Sequence, residues 1–336
     1  MRPGPRNHLL DVAGLSVGHA EDPHVKTGVT VVVPDEPAAA SVAVLGGAPG
    51  TRETDLLAPE QMIPAVDAIV LSGGSAFGLA SADGALSALA AMGRGAEVAG
   101  FRVPIAPAAI VFDLANGGDK AWGDVPPFRE LGLAAVRAAS SDDVRIGTVG
   151  LGTGCTTADL KGGLGSASTV LPSGHTIAAI VGVNAVGTAT IAGGEHFWAA
   201  PFELDGEFGG RGMPHPLPAD ASRLVTKLDA LKAGANTTIA VVATDAILSK
   251  AQLKRLAIAA HDGFSRALWP AHTPYDGDTI FTMSTGKRPI ADALFEPIEL
   301  GAAAAATLAR AIARGVHAAQ AADRDVLPTW ASRFGG

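Results

Sequence analysis

The chain has 336 residues, 48% of them hydrophobic and only 17% charged, with a formal net charge of −8. That balance argues against nucleic acid or an anionic membrane as a partner, and the single cysteine, Cys155, excludes an internal disulfide framework and a multi-cysteine metal site. Chains of this length bury about 75% of their unfolded surface, so a sizeable core is expected, and 42 glycines point to tight turns and close backbone packing.

Residues 1–26 read as turns, with Pro3, Pro5, Gly14, Gly18 and Pro23. No apolar run reaches 18 residues and no signal-peptide pattern is present, so a cytoplasmic location is the expectation. Thr27 to Val33 reads as a strand closed by Pro34-Asp35, and Ser41 to Leu45 as a second. The loop at 46–55, G-G-A-P-G-T-R-E-T-D, is either a structural turn or the lining of a small site. Asp67 to Leu71 is a buried strand, and Ser72-Gly73-Gly74-Ser75-Ala76-Phe77-Gly78 leads into a helix from about Ala76 to Met92. This turn has neither Walker nor G-x-G-x-x-G spacing, so close helix–strand packing explains its glycines as well as a phosphate would. Ala108 to Phe112 reads as a strand and Phe128 to Ala139 as a helix.

Residues 147–165 are dense in glycine and threonine and contain Lys161, either a solvated side chain or a positive charge for a nucleophile or oxyanion. Ser166 to Leu171 and Thr176 to Ala192 follow as strands around the hairpin signal Pro172-Ser173-Gly174. Asn184 interrupts the second run; a buried Asn must hydrogen-bond, to backbone or to a ligand. Residues 193–235 form a long excursion with one short helix expected near Ala221 to Lys232. Thr237 to Thr244 is a β-branched core strand. Ser249 and Gln252 make a capping box for a helix that Trp269-Pro270 ends. A polar turn, His272 to Asp278, precedes the strand Thr279 to Ser284, and an Ala-rich helix covers about Leu300 to Gln320. Strands joined mostly by turns, with few long helices, suit a mixed α/β protein whose helices cover a sheet pair.

Two stretches carry chemistry. Asn236-Thr237 is either a turn-to-strand boundary or a self-cleaving bond. In the second case Thr237 becomes a new N-terminus, whose α-amine titrates at about 7.7–8.0 and serves as base for its own hydroxyl. Asp276 and Asp278 flank Gly277. They are metal ligands with His272, plain turn acids, or carboxylates that orient a nucleophile's amine and hydroxyl.

Six stretches together resemble the DmpA-like autoprocessing aminopeptidases, which include β-peptidyl aminopeptidases and endo-type nylon-oligomer hydrolases. They are G-G-A-P-G-T-R-E-T-D at 46–55, L-S-G-G-S-A-F-G-L at 71–79, K-G-G-L-G-S-A-S at 161–168, V-N-A-V-G at 183–187, N-T-T-I at 236–239 and H-T-P-Y-D-G-D-T-I-F at 272–281. The resemblance spans nearly the whole chain. It implies an α/β fold of the α+β type, a four-layer αββα sandwich shared with ornithine acetyltransferases and similar to N-terminal-nucleophile hydrolases. It implies one domain over 1–336, cleaved into an α chain of 1–236 and a β chain of 237–336. Thr237 carries over as nucleophile, Asp276 and Asp278 as the acidic pair, Asn184 as the oxyanion residue and Lys161 as the active-site lysine. Asp159 stands where many members carry a lysine, and Phe112 where some carry a tyrosine.

The implied activity is hydrolysis of small linear amides through an acyl-enzyme, on short peptides or ω-amino-acid oligomers such as 6-aminohexanoate oligomers, without metal or organic cofactor. The implied assembly is a homo-oligomer, a tetramer of αβ units. Acyl transfer of the ornithine-acetyltransferase type, or a non-catalytic role in binding small metabolites, stands as the alternative.

Overall fold

The computed structural model describes residues 1–228 and 236–335. Twelve strands are present among them: β1 (Leu15–Asp22), β2 (Thr27–Pro34), β3 (Ala39–Val44), β4 (Thr51–Arg52), β5 (Ile69–Ser72), β6 (Ala96–Val98), β7 (Phe101–Val103), β8 (Ala108–Ile110), β9 (Gly163–Val170), β10 (Thr176–Val183), β11 (Ile239–Ala246) and β12 (Thr279–Arg288). The helices are α1 (Ser81–Ala91), α2 (Phe128–Arg137), α3 (Lys250–Ala260), α4 (Asp262–Ala267), α5 (Glu296–His317) and α6 (Trp330–Phe334). Two five-stranded sheets run in the orders β1-β2-β5-β8-β4 and β3-β12-β11-β10-β9, and β6 pairs with β7 as a separate ribbon.

Strand alternation assigns the layers. Val29, Val31 and Val33 of β2 pack with Ala82, Ala85 and Leu89 of α1 and Ala135 of α2. Val32 turns the other way, into a core shared with Ile239, Val241 and Phe281 of the second sheet. Ala240 and Val242 of β11 face Leu253 of α3 and Leu308 of α5. The order is therefore helices, sheet, sheet, helices, and β11 is buried on both faces. The second sheet is mixed: β11 pairs antiparallel with β10 and parallel with β12, Ile239 opposite Thr279. Among the described residues no helix is long and apolar enough to cross a membrane.

Several expected boundaries shift. The run 1–26, read as turns, contains β1, which pairs with β2 over eight positions. Only its first residues are apolar, so the ladder rather than periodicity makes it a strand. The helix expected from Ala76 opens as a 3-10 turn, Ser75–Ala80, before α1. Strand β10 ends at Val183, not near Ala192, because Asn184 turns its side chain into polar contacts. Of the helix expected near Ala221 to Lys232, residues 221–226 are irregular, Lys227 and Leu228 are helical, and 229–232 lie outside the described residues. The Ser249/Gln252 capping box is present at α3.

Helix α5 lies very close to β9. A Cβ built on Gly165 would stand 1.8 Å from the Ala311 carbonyl oxygen. Gly165→Ala is expected to lower unfolding stability by about 1–3 kcal/mol through overpacking, read as a lower denaturant midpoint at unchanged slope. A midpoint equal to wild type would show that helix and strand do not approach this closely.

Candidate active site

The ladder between β11 and β12 continues past the ends of both strands. Thr279 N–H donates to Thr238 O (3.2 Å), Gly277 N–H to Asn236 O (2.9 Å) and Asn236 N–H to Tyr275 O (3.2 Å). The D-G-D turn is thus laid in parallel along Asn236-Thr237-Thr238. Thr237 is 3% exposed. Its hydroxyl donates to Asn236 O at 2.5 Å, and its backbone N–H donates to Asn184 O at 3.0 Å. Gly277 is required by proximity, since a Cβ there would lie 2.7 Å from Thr237 Oγ1. The Asn236 side-chain amide is buried and meets no hydrogen-bond partner among the described residues.

The two acids divide their work. Asp278 accepts Thr238 N–H on Oδ1 (3.0 Å), and His272 N–H (3.0 Å) and Nδ1 (2.8 Å) on Oδ2. Asp276 accepts Thr273 N–H (2.9 Å) and Oγ1–H (2.8 Å) on Oδ2, and Val186 N–H on Oδ1 (3.4 Å). Burial, and then the neighbouring Asp278 charge, push Asp276 up to about 6. Burial pulls His272 down, but its bond to Asp278 and that carboxylate's charge outweigh it, leaving the imidazole above its ordinary value. These oxygens face N–H and O–H donors, and among the described residues no three His, Cys, Asp or Glu side chains converge on a point that suits a metal.

Asn184 is fully buried. Its Oδ1 accepts Thr156 N–H (3.1 Å) and Lys227 Nζ (2.9 Å), both donors only, which fixes the amide orientation. Its Nδ2 donates to Phe112 O at 2.9 Å. Lys227, 2% exposed, also reaches Asn184 O at 3.3 Å. Burial lowers the Lys227 ammonium to about 7, against the opposing pull of the Asp276 and Asp113 carboxylates. A buried hydroxyl, two carboxylates, an amide and a lysine are thus linked through the backbone of Asn184, Thr237-Thr238 and the D-G-D turn, a set suited to acyl transfer.

The family model described as Peptidase family S58 matches residues 7–325. The chain belongs to peptidase family S58. This S58 chain is 42% identical to an uncharacterized aminopeptidase of Mycobacterium bovis, with 98% of each covered. It is 26% identical to the 6-aminohexanoate-oligomer endohydrolase of Kocuria, over 82% of this chain and 74% of that one. Its fold is that of the L-aminopeptidase D-Ala-esterase/amidase of Ochrobactrum anthropi, described as a variant of the Ntn hydrolase fold, at a TM-score of 0.65 and 23% identity over 99% and 95% of the two chains. The expected αββα sandwich is therefore found, and the protein is a hydrolase of peptide and amide bonds, of the aminopeptidase type.

Within the S58 chain, five of the residues singled out by sequence come together: Asn236, Thr237, Asn184, Asp276 and Asp278. Lys161 does not join them. Its Nζ is held by Asp325 Oδ2 at 2.8 Å, and Lys26 takes the other oxygen of the same carboxylate at 2.6 Å. The lysine that reaches Asn184 is Lys227, inside the short helix expected near Ala221 to Lys232, to which the sequence assigns no functional role. Nothing in its spacing marks it, and only the three-dimensional path of 221–228 could. Asp159 pairs with Arg333 instead of substituting for a lysine at the site. At position 112 the backbone carbonyl, not the side chain, meets Asn184. The 46–50 loop packs on the D-G-D turn, with Ala48 N–H on Asp276 O at 2.7 Å. A separate groove of about 980 Å³ in the outer helix layer, among Leu256, Arg266, Ile298 and Ala305, includes none of these site residues.

Because Asp278 raises His272, the pair's contribution to stability is fully present below about pH 6.5, the ordinary histidine value, and is lost as pH rises through the higher folded value. Asp278→Asn is expected to move the His272 titration downward, observed as the imidazole proton shift by NMR. An unmoved His272 titration would mean the pair does not form in solution.

Proposed function

We propose that the protein cleaves itself between Asn236 and Thr237 and then works as an N-terminal-threonine amidase. The observation that carries this reading is the placement of the Asn236 carbonyl, whose oxygen takes both Thr237 Oγ1–H at 2.5 Å and Gly277 N–H at 2.9 Å. Thr237 Oγ attacks the Asn236 carbonyl carbon, and Gly277 N–H holds the oxygen as it gains charge. The Oγ–H proton passes to the Thr237 nitrogen as the C–N bond breaks, and water hydrolyses the resulting ester. The products are an α chain ending in the Asn236 carboxylate and a β chain of 336 − 236 = 100 residues starting at Thr237.

In turnover the Thr237 α-amine takes the proton of its own hydroxyl as Oγ attacks a substrate amide. Asp278, through Thr238 N–H and His272, and Asp276, through Thr273 and Val186, hold the strand and turn in register. One N–H of Asn184 Nδ2 is spent on Phe112 O, so oxyanion donation by this amide uses the other. The amine product leaves, and water releases the acyl group. The relatives support two substrate classes, short peptides with a free amine and 6-aminohexanoate oligomers. The exposed Leu294, Phe295 and Ile298, around the start of α5, support assembly of the αβ units into a homo-oligomer.

Denaturing intact mass spectrometry tests the first step. Wild type is expected to give two chains split at Asn236-Thr237. Thr237→Ala should stay whole and lose about 10³-fold or more of the amidase rate on aminoacyl anilides, and Thr237→Ser should still split. A wild-type chain that stays whole after long incubation would sink the proposal.

A further inference from the structure

Lys227 is buried, carries a titratable amine and is used by no step above. It reaches the site from the arm that leads toward the cleavage junction, yet it is anchored independently of that junction. Its backbone N–H donates to Val186 O at 2.9 Å, and upstream Trp269 Nε1–H donates to Ser222 O at 3.3 Å. Both anchors lie outside the Asn236-Thr237 bond, so breaking the bond leaves them in place. At its tip, Nζ lies 3.3 Å from Asn184 O, the same oxygen that takes Thr237 N–H at 3.0 Å. The lysine amine and the nitrogen that becomes the Thr237 α-amine therefore converge on a single acceptor in a buried space.

We infer that Lys227 is a positioning residue that sets the charge of the Thr237 α-amine: its ammonium, docked on Asn184, keeps the neighbouring amine unprotonated and able to act as base. The inference rests on the self-cleavage reading above. Two amines sharing one acceptor titrate as a pair, and the second proton is disfavoured by the first. The burial that lowers Lys227 to about 7 acts on the neighbouring α-amine as well. Lys227 alone has two Asn184 acceptors, Oδ1 at 2.9 Å and O at 3.3 Å, so the shared proton rests on Lys227 and the Thr237 nitrogen keeps its lone pair. Other charges face the pair. Asp276 and Asp278 lie on the turn before β12, with His272 bonded to Asp278. Asp113 follows β8, and Cys155 precedes β9 with its thiol held in the protonated form by burial. The carboxylates draw protons toward both amines, so an α-amine left alone with them would stay protonated through the neutral range. Lys227 supplies the opposing charge.

The test is the pH profile of kcat/KM for an aminoacyl anilide, measured on wild type, Lys227→Met and Lys227→Arg after intact mass has shown the state of each chain. Lys227→Met is expected to split, because neither Thr237 Oγ–H nor Gly277 N–H depends on Lys227. Its acid limb should move up by about one pH unit or more, so that most of its lost activity returns at alkaline pH. Lys227→Arg should split and keep its limb at or below that of wild type. A Lys227→Met enzyme slowed equally at every pH would overturn the inference and leave Lys227 a support for Asn184. So would a Lys227→Met chain that folds but stays whole while wild type splits, since the lysine would then belong to maturation. Should Lys227→Met not fold, Lys227→Arg decides, and an upward-moved limb there overturns it. A wild-type chain that stays whole refutes the underlying reading instead, and intact mass reports this before any rate is measured.

Discussion

The site depends on the parallel pairing of two strands being carried beyond their ends. Where β11 and β12 stop, the ladder continues through Thr238, Asn236 and the D-G-D turn, and this continuation fixes the Asn236 carbonyl against Gly277 N–H. A parallel pair has evenly spaced, slanted hydrogen bonds, so one register sets every contact from Thr282 back to Tyr275. The carboxylates gain their positions from the same ladder. They lie on either side of the glycine that approaches Thr237, and their bonds to Thr238, Val186 and Thr273 tie the turn to its neighbours. The chemistry is therefore placed by backbone, and side chains refine it.

The layers around this ladder explain the composition. A central strand buried on both faces needs apolar residues at consecutive positions, and β11 supplies Ile239 to Val242 without a polar break. Helices that approach a sheet at backbone distance need residues without side chains at the crossing, as at Gly165 against Ala311. Few charges remain, and several of the buried ones are paired. Arg310 binds Glu207, with its Nη2 at 2.9 Å from Oε2, and Lys161 and Lys26 share Asp325. Removing one partner of such a pair is far more damaging than the pair's net contribution to stability.

Much of this was legible in the sequence because it is local. The β-branched run after Thr237, the Ser249/Gln252 cap and the Pro172-Ser173-Gly174 turn each carry their own signal. Asn236, Thr237, Asn184 and the acidic pair were legible through motif resemblance rather than through residue chemistry alone. What was not legible depends on the path of the chain. Strand β1 is held by its partner, with little alternation of its own. Lys161 lies in a recognisable motif, but its charge is claimed by Asp325, which follows α5 and is 164 residues away. Lys227 lies where only a short helix was expected, and its closeness to Asn184 comes from a fold-back no window of sequence contains.

The two-faced burial of β11 has a further consequence for how such a molecule exists in time. A bond broken just ahead of the central strand yields two polypeptides, neither of which contains a complete second sheet: β3, β9 and β10 fall in one, β11 and β12 in the other. Folding of the intact chain is unimolecular, because the strands are tethered. Refolding of the severed pair would be a second-order encounter, limited by concentration and exposed to aggregation of two incomplete sheets. The peptide bond at Asn236-Thr237 would then serve as a folding tether used once, and the working molecule would be held by its slow rate of unfolding rather than by ready return from the unfolded state.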